Sequence, residues 1–269
     1  MLYYNQKGQT LVIVLLVMIL ALATGLIVSN RVIQGFKRSV KIDSSVRALG
    51  VAEALVERIL TLNSGTLDDY IANNSCGSAC QLIITGSDGI TATAQATLSH
   101  YGNSTNQLDV KVEKNATYEV DLTGYSSSST VELCWDDAAS GDNPSVYVSY
   151  VHGASPYSLS KYAYNAASTL HGSNGFSTAA SDLSYPNCFT VPAKTTPLFL
   201  RVRAIYNDIN LHVIPKGGSA LPIQGYVITA TGAVSDVVKT VTALKTKPYL
   251  PSEFDFAIFS TSDDTPLQN

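Results

Sequence analysis

The side chains of this 269-residue chain that could do chemistry are few: four cysteines, one acidic stretch, four scattered histidines and a knot of tyrosines. Cys76, Cys80, Cys134 and Cys188 are even in number, as a disulfide framework needs, and four cysteines permit three connectivities. The Cys76-x3-Cys80 spacing suits a small closed loop, which would leave Cys134 and Cys188 to cross-link a larger domain. A thiolate metal site asks for more Cys or His at paired spacing, whereas His100, His152, His171 and His212 stand singly. Disulfides are therefore favoured over free thiols and over metal ligation, and they persist in an oxidising compartment.

Asp136, Asp137 and Asp142, with Ser140 and Asn143, gather the oxygen donors that calcium prefers, but not at EF-hand spacing. Acidic turn residues do ordinary structural work without an ion, so calcium stays the lesser reading. Tyr147, Tyr150 and Tyr157 cluster around His152 as a candidate binding surface, since tyrosine supplies large amphipathic area. The competing and favoured reading is the general enrichment of tyrosine in strands. No nucleophile elbow, paired metal-ligand histidines or phosphate-binding glycine loop occurs. No catalytic residue, cofactor or metal is assigned, and the chain reads as a non-enzyme.

The elements that position these residues begin with Leu11–Val28, eighteen residues without a charge. As a helix this run is about 27 Å long, close to the thickness of a bilayer core. Charged residues make up only 14% of the chain and the net charge is -4, which disfavours a nucleic-acid partner. The cations concentrate instead just after the apolar run, at Arg31, Lys37, Arg38, Lys41, Arg47 and Arg58, as a collar for lipid head groups. Three fates of the run compete. An ordinary signal peptide would use Ala21-Leu22-Ala23 and release a chain starting at Thr24. The others are an uncleaved anchor and removal of a short leader, and the apolar residues Leu26, Ile27 and Val28 beyond the Ala-x-Ala site argue for one of these.

Both flanks favour the short leader. MLYYNQKG precedes the run, ending in Lys7-Gly8, and Gln9-Thr10-Leu11 opens it. After it, Arg31 to Leu62 contains no proline, and Val32, Phe36, Val40, Val46, Leu49, Ala52, Val56, Ile59 and Leu60 recur mostly at helical spacing. Asn63-Ser64-Gly65 is the stop. One helix thus runs from a membrane half into an amphipathic half that packs on a domain. Across residues 7–62 this pattern resembles the type IV pilins and the pseudopilins of secretion systems.

That resemblance implies a peptidase cut after Gly8 and Gln9 as the new N-terminus. It implies a helix that anchors the subunit in the membrane and then packs with its copies in a filament core. The implied partners are a prepilin peptidase, other pilin subunits, an assembly platform and lipid. Two positions depart from the family. Gln9 is polar where the family starts with an apolar residue, and Ile13 stands where major subunits carry a glutamate at the fifth mature position. Loss of that carboxylate marks minor or tip-type subunits in the family. The cations after the span would by themselves place the following domain in the cytoplasm. Long domains translocate regardless of that rule, and the cysteines and composition favour the extracellular or periplasmic side.

From Gln81 onward the pattern has period two, with clean alternation in Leu108–Glu113 and Val131–Trp135. Further strands are expected at Gln81–Thr85, Thr91–Leu98, Tyr118–Leu122, Val146–Val151, Leu198–Tyr206, Leu211–Ile214, Tyr226–Ala230, Val237–Lys245 and Phe254–Phe259. The segment Ser155–Pro197 lacks periodicity and reads as a long decorated loop. The expected class is α+β, a long helix followed by an antiparallel β-sandwich, with a jelly-roll-like order as one option. The expected divisions are a leader at 1–8, a helix at 9–62, a linker at 63–80 and a β-domain at 81–269. Function then reads as a minor, tip-type pilin or pseudopilin presenting its sandwich for subunit contact or a surface ligand. The alternative is an anchored adhesin or carbohydrate-binding module that enters no filament.

Overall fold

The computed structural model describes residues 9–103, 106–137, 143–166, 174–181 and 184–252. A single helix, α1 (Gln9–Leu60), covers 52 residues. Its early part contains a window of mean hydropathy 2.9 that is 0% buried, long and apolar enough to cross a membrane. Its last turns bury Ser44, Ala48, Val51, Ala52, Leu55, Val56 and Ile59. These positions recur every three or four residues and share one face. The packed face therefore starts later than the periodicity suggests. Val32, Phe36, Val40 and Val46 continue the same spacing, yet they remain between 51% and 70% exposed.

Three residues past the end of α1, Asn63 starts a second helix, α2 (Ser64–Ala72), by accepting a hydrogen bond from the Thr66 N–H at 2.9 Å. Asparagine suits this role, because its short side-chain amide oxygen reaches a free N–H of the first turn. The expected linker at 63–80 accordingly holds α2 and a 3-10 turn at Gly77–Cys80.

Among the described residues thirteen strands follow: β1 (Gln81–Thr85), β2 (Thr91–Tyr101), β3 (Leu108–Val112), β4 (Thr117–Asp121), β5 (Val131–Asp137), β6 (Ser145–His152), β7 (Ser158–Asn165), β8 (Ser177–Thr178), β9 (Asn187–Val191), β10 (Pro197–Ile205), β11 (Ile209–Pro215), β12 (Gly225–Val234) and β13 (Val237–Thr246). Three sheets result, ordered β1-β2-β12-β13, β4-β10-β6-β7-β8 and β3-β11-β5-β9. All pairings described are antiparallel except β7–β8. The class is α+β.

The chain forms two compact units. The first comprises the residues up to Leu98 together with Ile228–Ala243. Its core joins the buried face of α1 and Leu67 to Ala92, Ala94, Ile228, Ala230 and Val234. Small residues allow close approach here: a Cβ added at Gly232 would lie inside contact distance of the Ala48 carbonyl oxygen and 3.0 Å from Val51 Cγ1.

The second unit comprises Ser99–Val227 and the chain from Leu244. Its two sheets alternate, and their inward residues make one cluster: Leu200 and Val202 with Val146 and Val148 from one sheet, Ile209 and Leu211 with Leu133 and Trp135 from the other. That is the packing of a sandwich. The expected loop at Ser155–Pro197 contains β7, β8 and β9. β7 was illegible because most of its residues are exposed or half-buried, so no apolar alternation exists to read. The expected strand at Phe254–Phe259 lies outside the described residues.

Candidate functional site

The largest chemical anomaly is the surface of α1. From Val12 to Val28 every large apolar side chain is at least 56% exposed, and Val32, Ile33, Phe36, Val40 and Ile42 extend the apolar surface past the first cations. Ile13, the position matched to the family glutamate, is 58% exposed on this surface. Apolar area of this extent needs lipid or other helices around it. Gln9 is the first residue of α1, while Gly8 lies outside the described residues.

Both cysteine pairs are disulfides, Cys76–Cys80 and Cys134–Cys188, and no described cysteine is free. The first staples the 3-10 turn. Arg58 then holds that turn to α1 through one guanidinium nitrogen, which donates to the carbonyls of Ser78 (3.1 Å), Ala79 and Gln81 (2.7 Å). The second disulfide links directly opposed residues of β5 and β9. Glu132 lies near it, but both sulfurs are bonded to each other and offer no thiolate for a metal.

Beside that disulfide the outward side of β3, β11 and β5 gathers a polar cluster that sequence reading missed. Asp109 is directly opposite His212 in register. His212 Nδ1 donates to Asp109 Oδ1 at 2.6 Å, and Nε2, which is buried without a hydrogen-bond partner, faces Asp136 Oδ2 at 3.7 Å. Tyr185 stacks on the imidazole with centroids 4.2 Å apart and donates its hydroxyl to Gln107 Oε1 at 2.9 Å. Asn210 Nδ2 donates to Asp136 Oδ1 at 2.6 Å. The cluster orients a histidine between two carboxylates. The signal lay in the outward positions of three alternating strands, which align only once the strand order is known.

The expected site residues are otherwise dispersed. Asp136 takes part in the cluster around His212, while the Asp137 side chain and Asp142 lie outside what the structure describes. Tyr147 and Tyr150 leave opposite faces of β6. Tyr150 belongs to the core at 3% exposure, packs against His152 at 5.3 Å, and its hydroxyl is pushed up to about 12 by burial and by Tyr162 and Tyr125. Tyr157 alone of the four stands out, at 70% exposed. The tyrosines and His152 thus form no single contact face.

The segment after β13 is clasped within the second unit. Arg201, 7% exposed in its side chain, donates to Glu119 Oε2 at 2.8 Å and to the carbonyls of Leu250 (2.8 Å) and Pro251 (3.1 Å). Lys247 pairs with Asp121, whose backbone N–H donates to Gln224 Oε1 at 2.8 Å. Burial opposes the Asp121 charge, but Lys247 and hydrogen bonds from Thr123 prevail and hold the carboxyl below its usual value. No family model, no curated protein and no solved structure matches this chain.

Proposed function

We propose that the chain is a structural subunit of the type IV pilin class, of minor or tip kind, anchored and assembled through α1. The observation that carries this reading is the division of one unbroken helix. Gln9–Leu60 is continuous, apolar and uncovered at its start, and packed on a sheet from Ser44 onward. A signal peptide has no need of a second, folded half, and a soluble core helix would be covered. Two disulfides support an exported domain. On this reading a prepilin peptidase removes residues 1–8, and the partners are other subunits, an assembly platform and lipid. The sandwich is displayed outside the cytoplasm. Ile13 in place of an acidic residue supports a position without a subunit above it.

Crosslinking tests assembly. Leu16→Cys, Leu20→Cys and Phe36→Cys each place one free thiol on the exposed face of α1, since the native cysteines are paired. Oxidation of membranes carrying the full chain and an assembly system whose other subunits each carry one cysteine introduced in their own N-terminal helices should give disulfide-linked adducts with those subunits through these positions. An anchored binding module that enters no filament would give none.

A further inference from the structure

Where α2 ends, the first unit opens a groove of about 490 Å³, within the roughly 300–1,000 Å³ usual for small-molecule sites. Its wall is the end of α2 with the turn that follows, and its floor is the start of β1 beside the second half of β2. Six lining residues carry hydrogen-bonding side chains: Tyr70, Asn74, Ser75, Gln81, Gln95 and Thr97. None of the described lining residues is charged.

The chain builds this wall from its backbone and leaves those side chains idle. α2 closes in a Schellman motif, in which the Ser75 N–H donates to the Tyr70 carbonyl and the Asn74 N–H to the Ile71 carbonyl, each at 3.1 Å. Asn74 takes the left-handed position of the motif at φ 48, which asparagine tolerates better than most residues with a Cβ. The Cys76–Cys80 disulfide closes the next turn, and Arg58 ties it to α1 through the carbonyls of Ser78, Ala79 and Gln81. On the floor, Gln81 and Gln95 are directly opposed in register, so both amides stand on one face of the sheet. Elsewhere Asn63, Asn73, Asn210 and Gln224 bind their amides to the fold. The side chains of Tyr70, Asn74, Ser75, Gln81 and Gln95 make no hydrogen bond to any described residue. A wall already fixed lowers the ordering cost of binding.

We infer that this groove binds a neutral glycan. Amides and hydroxyls both donate and accept, as do the hydroxyls of a sugar, so each can pair whichever way a ring presents itself. An apolar ligand would strip these groups of water and leave them unpaired. A charged ligand would meet no counter-charge in the lining. Tyr70 is the only aromatic ring of the described lining, and it offers an apolar surface to the C–H face of a pyranose with a hydroxyl at its edge. The same face of β2 continues past Gln95 as Thr93 and Thr91, so a longer glycan meets further hydroxyls. The groove belongs to the folded half of the chain and does not depend on whether α1 enters a filament.

The test uses the full chain in phosphatidylcholine nanodiscs, which carry no sugar. Saturation-transfer NMR and titration are run with mannotriose, chitotriose and lactose, and with a heparin tetrasaccharide as the charged comparator. At least one neutral probe should bind with a Kd of about 1 mM or tighter. Tyr70→Ala should weaken it about tenfold, and Gln81→Ala and Gln95→Ala about fivefold each. Thr240→Ala, on the opposite edge strand of the sheet, should change nothing. Gln81 and Gln95 are exposed, so their variants keep the test valid if loss of the half-buried Tyr70 ring disturbs α2. Failure of every neutral probe to bind, or a change below twofold in both glutamine variants, overturns the site. Tighter binding of the heparin probe overturns the neutral class. An equal loss in Thr240→Ala puts the contact elsewhere on the sheet and overturns the groove.

Discussion

Gly232→Ala probes the contact on which the helix-to-sheet packing depends. The new methyl would meet the Ala48 carbonyl oxygen and stand 3.0 Å from Val51 Cγ1. Neither the backbone oxygen nor the crowded valine can swing aside as a flexible side chain would. Overpacking of this kind costs about 3 kcal/mol at the upper end of its usual range. Reduced freedom of the unfolded chain returns about 0.4–1 kcal/mol when alanine replaces glycine. The net loss is about 2 kcal/mol, or roughly 30-fold in an opening equilibrium. Gly50→Ala is the matched control, because a Cβ there meets nothing within 4 Å. It should stabilise α1 by about 0.8–1 kcal/mol through helix propensity. Native-state hydrogen exchange on the full chain in detergent, followed at the amides of α1 near Ala48 and of β12, reads both. Exchange should accelerate about 30-fold in the first variant and slow several-fold in the second. If Gly232→Ala exchanges within twofold of the parent, β12 does not pack against α1 as described.

Three further outcomes follow from the second unit. Replacing Cys134 and Cys188 by Ala should cost about 4 kcal/mol on the chain-entropy model, against about 2 kcal/mol for removing the short Cys76–Cys80 loop; denaturant unfolding followed by the buried Trp135 checks the larger loss. Asp121 titrates below its usual value in the folded chain, so its contribution is present above about pH 4 and is lost as the pH falls through the depressed value. Exchange at the Lys247 amide, which bonds the Gln224 carbonyl at 3.3 Å, should rise across that interval, and Lys247→Ala should remove most of the pH dependence. Tyr150 keeps its proton to about 12 when folded, so stability should decline from about pH 10, where the unfolded side chain ionises, toward that value. Tyr150→Phe should flatten part of this alkaline limb.

The long helix was legible because nothing in Leu11–Val28 or in the proline-free stretch after it offers another period. Where the packed face begins was not. Phe36 and Val46 look like core residues by spacing, and only the position of the sheet leaves them uncovered. Strands with one apolar face, such as β3, β5 and β11, could be placed nearly to the residue. β7 could not, because its half-buried tyrosines and its exposed Ser158, Leu159 and Lys161 carry no alternation. The preferred cysteine pairing agrees with the spacing argument, since β5 and β9 set Cys134 opposite Cys188. The Asp109–His212–Asp136 row was hidden for a different reason. These residues lie on three strands far apart in sequence, and no local pattern reports which strands become neighbours.

The central claim is that α1 belongs to a processed, assembling subunit, and its most direct test is the N-terminal peptide of the protein recovered from its native membrane or filament fraction. A mature chain beginning Gln9-Thr10-Leu11 is the expected result. A chain beginning at Thr24 would mean a released β-domain that has lost most of its apolar run, and an intact Met1 would mean a plain anchor; either contradicts the account.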